Sequence, residues 1–124
     1  MTAKIKRRSE HEEQVALFKW IRMFAKSYPA LDWVFAIPNA AKRSKALAGM
    51  MRAEGLTAGV FDLFVPWPVG KYHGLFIEMK RPPNTLTQAQ GMFGSEMIRR
   101  GYLATVCLTA DEAINVIRGY VGIK

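Results

Sequence analysis

Apolar residues fall along this chain in two rhythms, one helical and one alternating. Leu17, Phe18, Ile21, Phe24 and Ala25 recur at helical spacing behind Ser9 and Glu12, whose separation is that of a capping box, so a helix is predicted from about 10 to 26. Trp33 to Ile37 is a short β-prone run stopped by Pro38-Asn39. The next stretch, Lys42 to Glu54, carries Ala46, Leu47, Met50 and Met51 before Gly55 and reads as a second helix.

Two further β-prone runs, Val60 to Pro66 and Gly74 to Lys80, flank a connector rich in Pro and Gly and predict a hairpin. Pro82-Pro83 ends the second run, and Thr87 with Gln90 repeats the capping-box spacing before a helix to Arg100 closed by Gly101. Tyr102 to Leu108 reads as a buried strand. Thr109 with Glu112 gives a third capping box, opening a helix whose Ala113, Ile114, Ile117 and Val121 form one stripe. The element order is αβαββαβα. A strand, crossover helix and strand from 74 to 108 place two parallel neighbours, so the hairpin makes the sheet mixed, with three strands in contact and helices over its faces. The fold class is therefore α/β with a mixed sheet.

With 124 residues, half of them hydrophobic, the chain is one domain with a real core. Residues 1 to 8 are expected to form a mobile basic arm, and 9 to 124 the domain. The net charge of +8 points to a polyanionic partner. Cys107 stands alone, which excludes internal disulfides and cysteine-built zinc sites and fits a reducing cytoplasm. No apolar run approaches the roughly 18 residues of a membrane span. The basic start turns acidic rather than apolar, so no signal peptide is expected.

Candidate chemistry gathers on the hairpin. Alternation along Leu75 to Lys80 puts Leu75, Ile77 and Met79 on one face and Glu78 and Lys80 on the other, the latter two about 6.5 to 7 Å apart. A hairpin symmetric about Gly70 sets Asp62 opposite Glu78, with Cβ atoms roughly 4.5 to 5.5 Å apart. Two carboxylates that close, amid Phe61, Leu63, Phe64 and Phe76, call for a proton or a cation between them. Oxygen donors favour Mg²⁺ or Mn²⁺ over zinc. Such an ion beside Lys80 suits phosphodiester hydrolysis. Glu10 and Gln14 share the inward stripe of the first helix, which makes Glu10 a candidate third acidic group, direct or through water, with Gln14 orienting it.

The series Glu10-x-x-x-Gln14, Pro38-Asn39, Gly55 to Gly59 leading to Asp62, Glu78-x-Lys80 and Thr87-x-x-Gln90 resembles the VRR-NUC domain, the virus-type replication and repair nuclease branch of the PD-(D/E)xK superfamily, over about residues 10 to 121. The resemblance implies a restriction-endonuclease-like fold. It implies Asp62 and Glu78 as metal ligands, the Met79 backbone carbonyl completing the coordination, Lys80 in catalysis, and Glu10 and Gln90 as supporting site residues. Phe61 stands where the superfamily usually carries the proline before the aspartate. Short stand-alone members of this type form homodimers and cut branched DNA such as four-way junctions. This chain resembles them more than it does the longer eukaryotic relatives.

Plainer readings exist for each residue. Glu78 and Lys80 can be an edge-strand ion pair, Gln90 is accounted for as a cap residue, and Glu10 suits any first helical turn. His11 and His73 are single and read as solvated, Cys107 as an inert core thiol, and Met50, Met51, Met92 and Met97 as core fillers. Gly70-Lys71 lacks the remainder of a phosphate-binding loop. Basic residues form an arm (Lys4, Lys6, Arg7, Arg8), a cluster opening the second helix (Lys42, Arg43, Lys45), and Arg81 beside the site. The second cluster joins positive charge to helix N-terminal amides, a combination suited to phosphate. Asn39 either contacts DNA or only makes the turn.

The expected function is a Mg²⁺- or Mn²⁺-dependent endonuclease selective for branched DNA, acting as a homodimer in a bacterial or phage-infected cytoplasm. Two alternatives stand beside it: a catalytically silent DNA-binding accessory protein of the same fold, and a restriction or defence nuclease, for which the chain has little spare surface to read sequence.

Overall fold

The computed structural model describes residues 7–39 and 43–124. Helix α1 (Glu10–Phe24) opens on Ser9, whose hydroxyl accepts from the Glu12 N–H while the Glu12 carboxylate accepts from the Ser9 N–H. A 3-10 turn, Pro29–Trp33, leads into β1 (Phe35–Ala36), followed by α2 (Lys45–Ala53). Strands β2 (Leu63–Val65) and β3 (Leu75–Met79) form the hairpin, then come α3 (Gln88–Arg99), β4 (Leu103–Cys107) and α4 (Ala110–Val121). This is the expected order with the 3-10 turn added.

The sheet order is β1-β2-β3-β4, with β1 and β3 antiparallel to β2, and β4 parallel to β3. It holds four strands rather than three, because Phe35 and Ala36 pair with Phe64 and Leu63. The pairs Leu63 with Ile77 and Val65 with Leu75 give the hairpin the register that symmetry about Gly70 predicts. One sheet face presents Leu63, Val65, Leu75, Ile77 and Met79, all buried beneath α1 and α4 with Leu17, Ile21, Ala113 and Ile117. Each of the large aliphatic side chains there stabilises the fold by about 1.5 to 3 kcal/mol. The other face is aromatic: Phe64 stacks on Phe76 at 4.3 Å between ring centres, and Phe76 meets Phe93 of α3 edge-on at 5.0 Å.

Several expectations need correction. Trp33 belongs to the 3-10 turn, where Pro29 at the first helical position presets a helical φ, and the strand after it is two residues long. Helix α2 begins at Lys45 under a Ser44 cap, so Arg43 precedes the helix rather than lying in its first turn. Lys42 lies outside the described residues, as do Lys4 and Lys6 of the arm; Arg7 and Arg8 are exposed. β4 is an edge strand, mostly half-buried, with only Cys107 fully enclosed. The third capping box is one-sided: Thr109 caps the Glu112 N–H, but the Glu112 carboxylate turns to the Leu108 N–H. Met50 and Met92 are exposed rather than core. Among the described residues no helix is long and apolar enough to cross a membrane.

Candidate active site

Asp62 ends the approach to β2, and Glu78 is the fourth residue of β3. Their side chains and backbones interlock. The Met79 N–H donates to Asp62 Oδ2 at 2.8 Å, and the Asp62 N–H donates to Glu78 Oε1 at 3.1 Å. Each carboxylate thus continues the ladder between β2 and β3 beyond its last backbone pair, which fixes both acids in place. An extended residue turns its N–H and C=O to the same edge, so the Met79 carbonyl faces the Asp62 side as its N–H does.

The sheet twist and alternation put Lys80 on the Glu78 face, and Lys80 Nζ stands 3.3 Å from Glu78 Oε2. Glu78 is only 2 % exposed. Burial pushes its carboxyl up to about 7, and the neighbouring Asp62 charge adds to the rise while Lys80 opposes it. A buried carboxylate held this way accepts a proton readily, or a cation.

Gln90 supplies the remaining hydrogen bond to Glu78. Its Nε2 donates to Glu78 Oε2 at 3.0 Å, while its Oε1 accepts from the Thr87 N–H and completes the capping box of α3. The capping role and the site role are therefore both met by one amide. Glu10, the candidate third acid, meets the residues that follow β3. Its Oε1 accepts from the Arg81 N–H at 3.0 Å, with a long 3.5 Å contact from Asn84 Nδ2, so it ties the start of α1 to the residue after Lys80. Glu10, Gln14 and Asp62 line one cavity. Among the described residues no three of His, Cys, Asp and Glu gather at one point. Mg²⁺ and Mn²⁺ do not require that. One or two carboxylates, with carbonyl, water and substrate phosphate oxygens, form their usual shell, and Asp62, Glu78 and the Met79 carbonyl match it in kind.

Asn39, Arg43, Lys45 and Arg81 are all exposed. His11 and His73 are exposed too, as solvated histidines should be. Sequence reasoning missed how α3 is docked. Phe61 is buried against Phe93, with the ring centres 5.5 Å apart. A Cβ on Gly94 would come within 2.9 Å of the Phe61 ring, so a side chain there would force the buried ring or α3 to shift. Gly59 has φ +90, and a Cβ on it would lie 2.5 Å from the Ala89 carbonyl oxygen. The Gly55 to Gly59 spacing was the available signal, although it did not say what Gly59 touches.

Against known proteins, the family model for the VRR-NUC domain matches residues 8–111. A solved structure described as a VRR_NUC domain protein aligns with a TM-score of 0.80 and 29% identity, over 96% of this chain and 93% of that one. No curated protein matches.

Proposed function

The chain belongs to the VRR-NUC domain family, a nuclease-type domain, and on that footing we propose that it is a metal-dependent endonuclease that hydrolyses phosphodiester bonds in branched DNA. The observation that carries this reading is the buried Glu78, interlocked with Asp62 and flanked by Lys80 on one face of the hairpin. A surface ion pair has no need of burial, of a second carboxylate, or of a Gln90 amide aimed at it.

Asp62, Glu78 and the Met79 carbonyl would hold Mg²⁺ or Mn²⁺, which when bound lowers the pKa of a water and offsets charge on the phosphoryl oxygens. Lys80 orients the attacking water and counters the negative charge that builds in the transition state. Gln90 keeps Glu78 oriented. Glu10 holds the backbone just beyond Lys80 and so positions it. Arg43, Lys45 and Arg81, with Arg7 and Arg8 of the arm, supply exposed charge for the phosphate backbone, which makes binding salt-dependent. Symmetric cuts in a four-way junction need two sites, which a homodimer provides.

The test is cleavage of labelled four-way junction, flap and linear duplex DNA with Mg²⁺, Mn²⁺ or EDTA, run beside Asp62→Ala. Metal-dependent cutting lost in the variant supports the enzyme, and the preferred substrate tells its structural selectivity. Tight binding without cutting under every metal would instead make it a silent binding module.

A further inference from the structure

Between α1 and the stretch from Leu31 to Ala36 lies a cavity of about 550 Å³ that starts at Glu10 and Asp62 and extends along the helix to Arg22 and Ala25. Its size is within the range of small-ligand clefts, about 300 to 1,000 Å³. The walls combine apolar surface from Phe18, Leu31 and Val34 with the polar ends of Gln14, Asp32 and Arg22. The Arg22 guanidinium lies over the Phe18 ring, 5.7 Å from its centre.

A phosphate is poorly matched to this lining, because Glu10, Asp32 and Asp62 set three carboxylates on the wall. A nucleobase is well matched. It brings two apolar faces and a polar edge, and unpaired bases stack on aromatic rings and guanidinium planes. Gln14 offers both a donor and an acceptor to a base edge, and Asp32 accepts from an exocyclic amine. A base within a continuous duplex is stacked and paired and cannot enter.

We infer that this cavity receives an unpaired nucleobase of the DNA strand, next to Asp62 and Glu78, where a bound metal ion would engage the neighbouring phosphate. The inference rests on the nuclease reading above and deepens it, since a pocket for one unpaired base beside the cutting site gives a single domain a physical means of preferring DNA whose branch point leaves a base unpaired over continuous duplex.

The test is binding in EDTA, read by anisotropy and by the fluorescence of 2-aminopurine placed either as an unpaired base at a branch point or within a continuous duplex. Ala36→Trp fills the cavity from an exposed strand position, and Arg22→Ala removes the exposed guanidinium over Phe18. Each is expected to lose about tenfold in affinity for the branched DNA, within what removal of one stacking partner costs, and to leave duplex binding unchanged. Quenching of the unpaired 2-aminopurine by the wild-type protein should weaken in both. Equal losses on both DNAs, or no loss in Arg22→Ala, would overturn the inference. Wild-type protein that cuts DNA with Mg²⁺ while the variants bind like wild type defeats the pocket alone, whereas wild-type protein that neither binds nor cuts any DNA defeats the nuclease reading and the pocket together.

Discussion

The amide of Gln90 donates to Glu78 at 3.0 Å while its own carbonyl accepts from the Thr87 N–H, so the first turn of α3 and the acidic site are joined by one side chain. Gln90→Leu removes both bonds at once. The expected loss is about 1 to 3 kcal/mol of stability, the cost of leaving a buried polar group unsatisfied, together with weaker Mn²⁺ binding. Urea denaturation and calorimetric titration read the two effects. Unchanged values in both would break the link between cap and site.

Glu78 titrates at about 7 when folded, against an ordinary 4.5, so the native state holds a proton that the unfolded state has released between those values. Stability of the metal-free protein is therefore greatest below about pH 4.5 as far as this group is concerned, and declines as pH rises through 7. Urea midpoints in EDTA should fall from pH 5 to pH 8, and Glu78→Gln should flatten that fall. Added Mn²⁺ should stabilise the protein more at pH 8 than at pH 5, because the ion and the proton compete for the same carboxylate. A wild-type midpoint that does not move with pH would place no buried proton on Glu78.

Lys80 Nζ is 3.3 Å from the carboxylate it neighbours, close enough to serve the same phosphate. Lys80→Ala should lower the cleavage rate at least about a hundredfold while metal binding and the melting temperature stay close to wild type. Near-normal turnover in this variant would remove Lys80 from the chemistry.

Glu10 offers an oxygen to the Arg81 N–H, and a glutamine can offer one too. If Glu10 positions the end of β3, Glu10→Gln should retain cleavage within about threefold and Glu10→Ala should lose at least about tenfold, roughly one backbone hydrogen bond. Equal, severe losses in both would make its negative charge the functional feature. Single-turnover rates at saturating metal separate the two cases.

The acidic pair was legible in the sequence once the hairpin was taken as symmetric about Gly70, an assumption the register bears out, and alternation then settles which side of β3 carries Glu78 and Lys80. The caps at Ser9 and Thr87 were legible for a similar reason, since their bonds join residues three apart. What escaped was non-local. Trp33 has the side chain of a strand residue, but the proline four positions earlier commits that stretch to a 3-10 turn. Tyr102 to Leu108 is apolar enough for a central strand, yet its place at the sheet edge follows from the order of the strands and not from its own composition. Glu10 reads as an ordinary first-turn acid, and only the approach of β3 to α1 in space gives it Arg81 as a partner.

The contact between Gly59 and Ala89 bears on how such chains keep or lose activity over time. A single methyl group at 59 would collide with the backbone just ahead of Gln90, levering away the residue that orients Glu78. On the proposed nuclease reading, a descendant with alanine there would retain Asp62, Glu78 and Lys80 and still lose the amide that orients Glu78. Inheritance of the acidic pair alone is thus a poor marker of a working enzyme, and the glycine in the loop is the better one to follow.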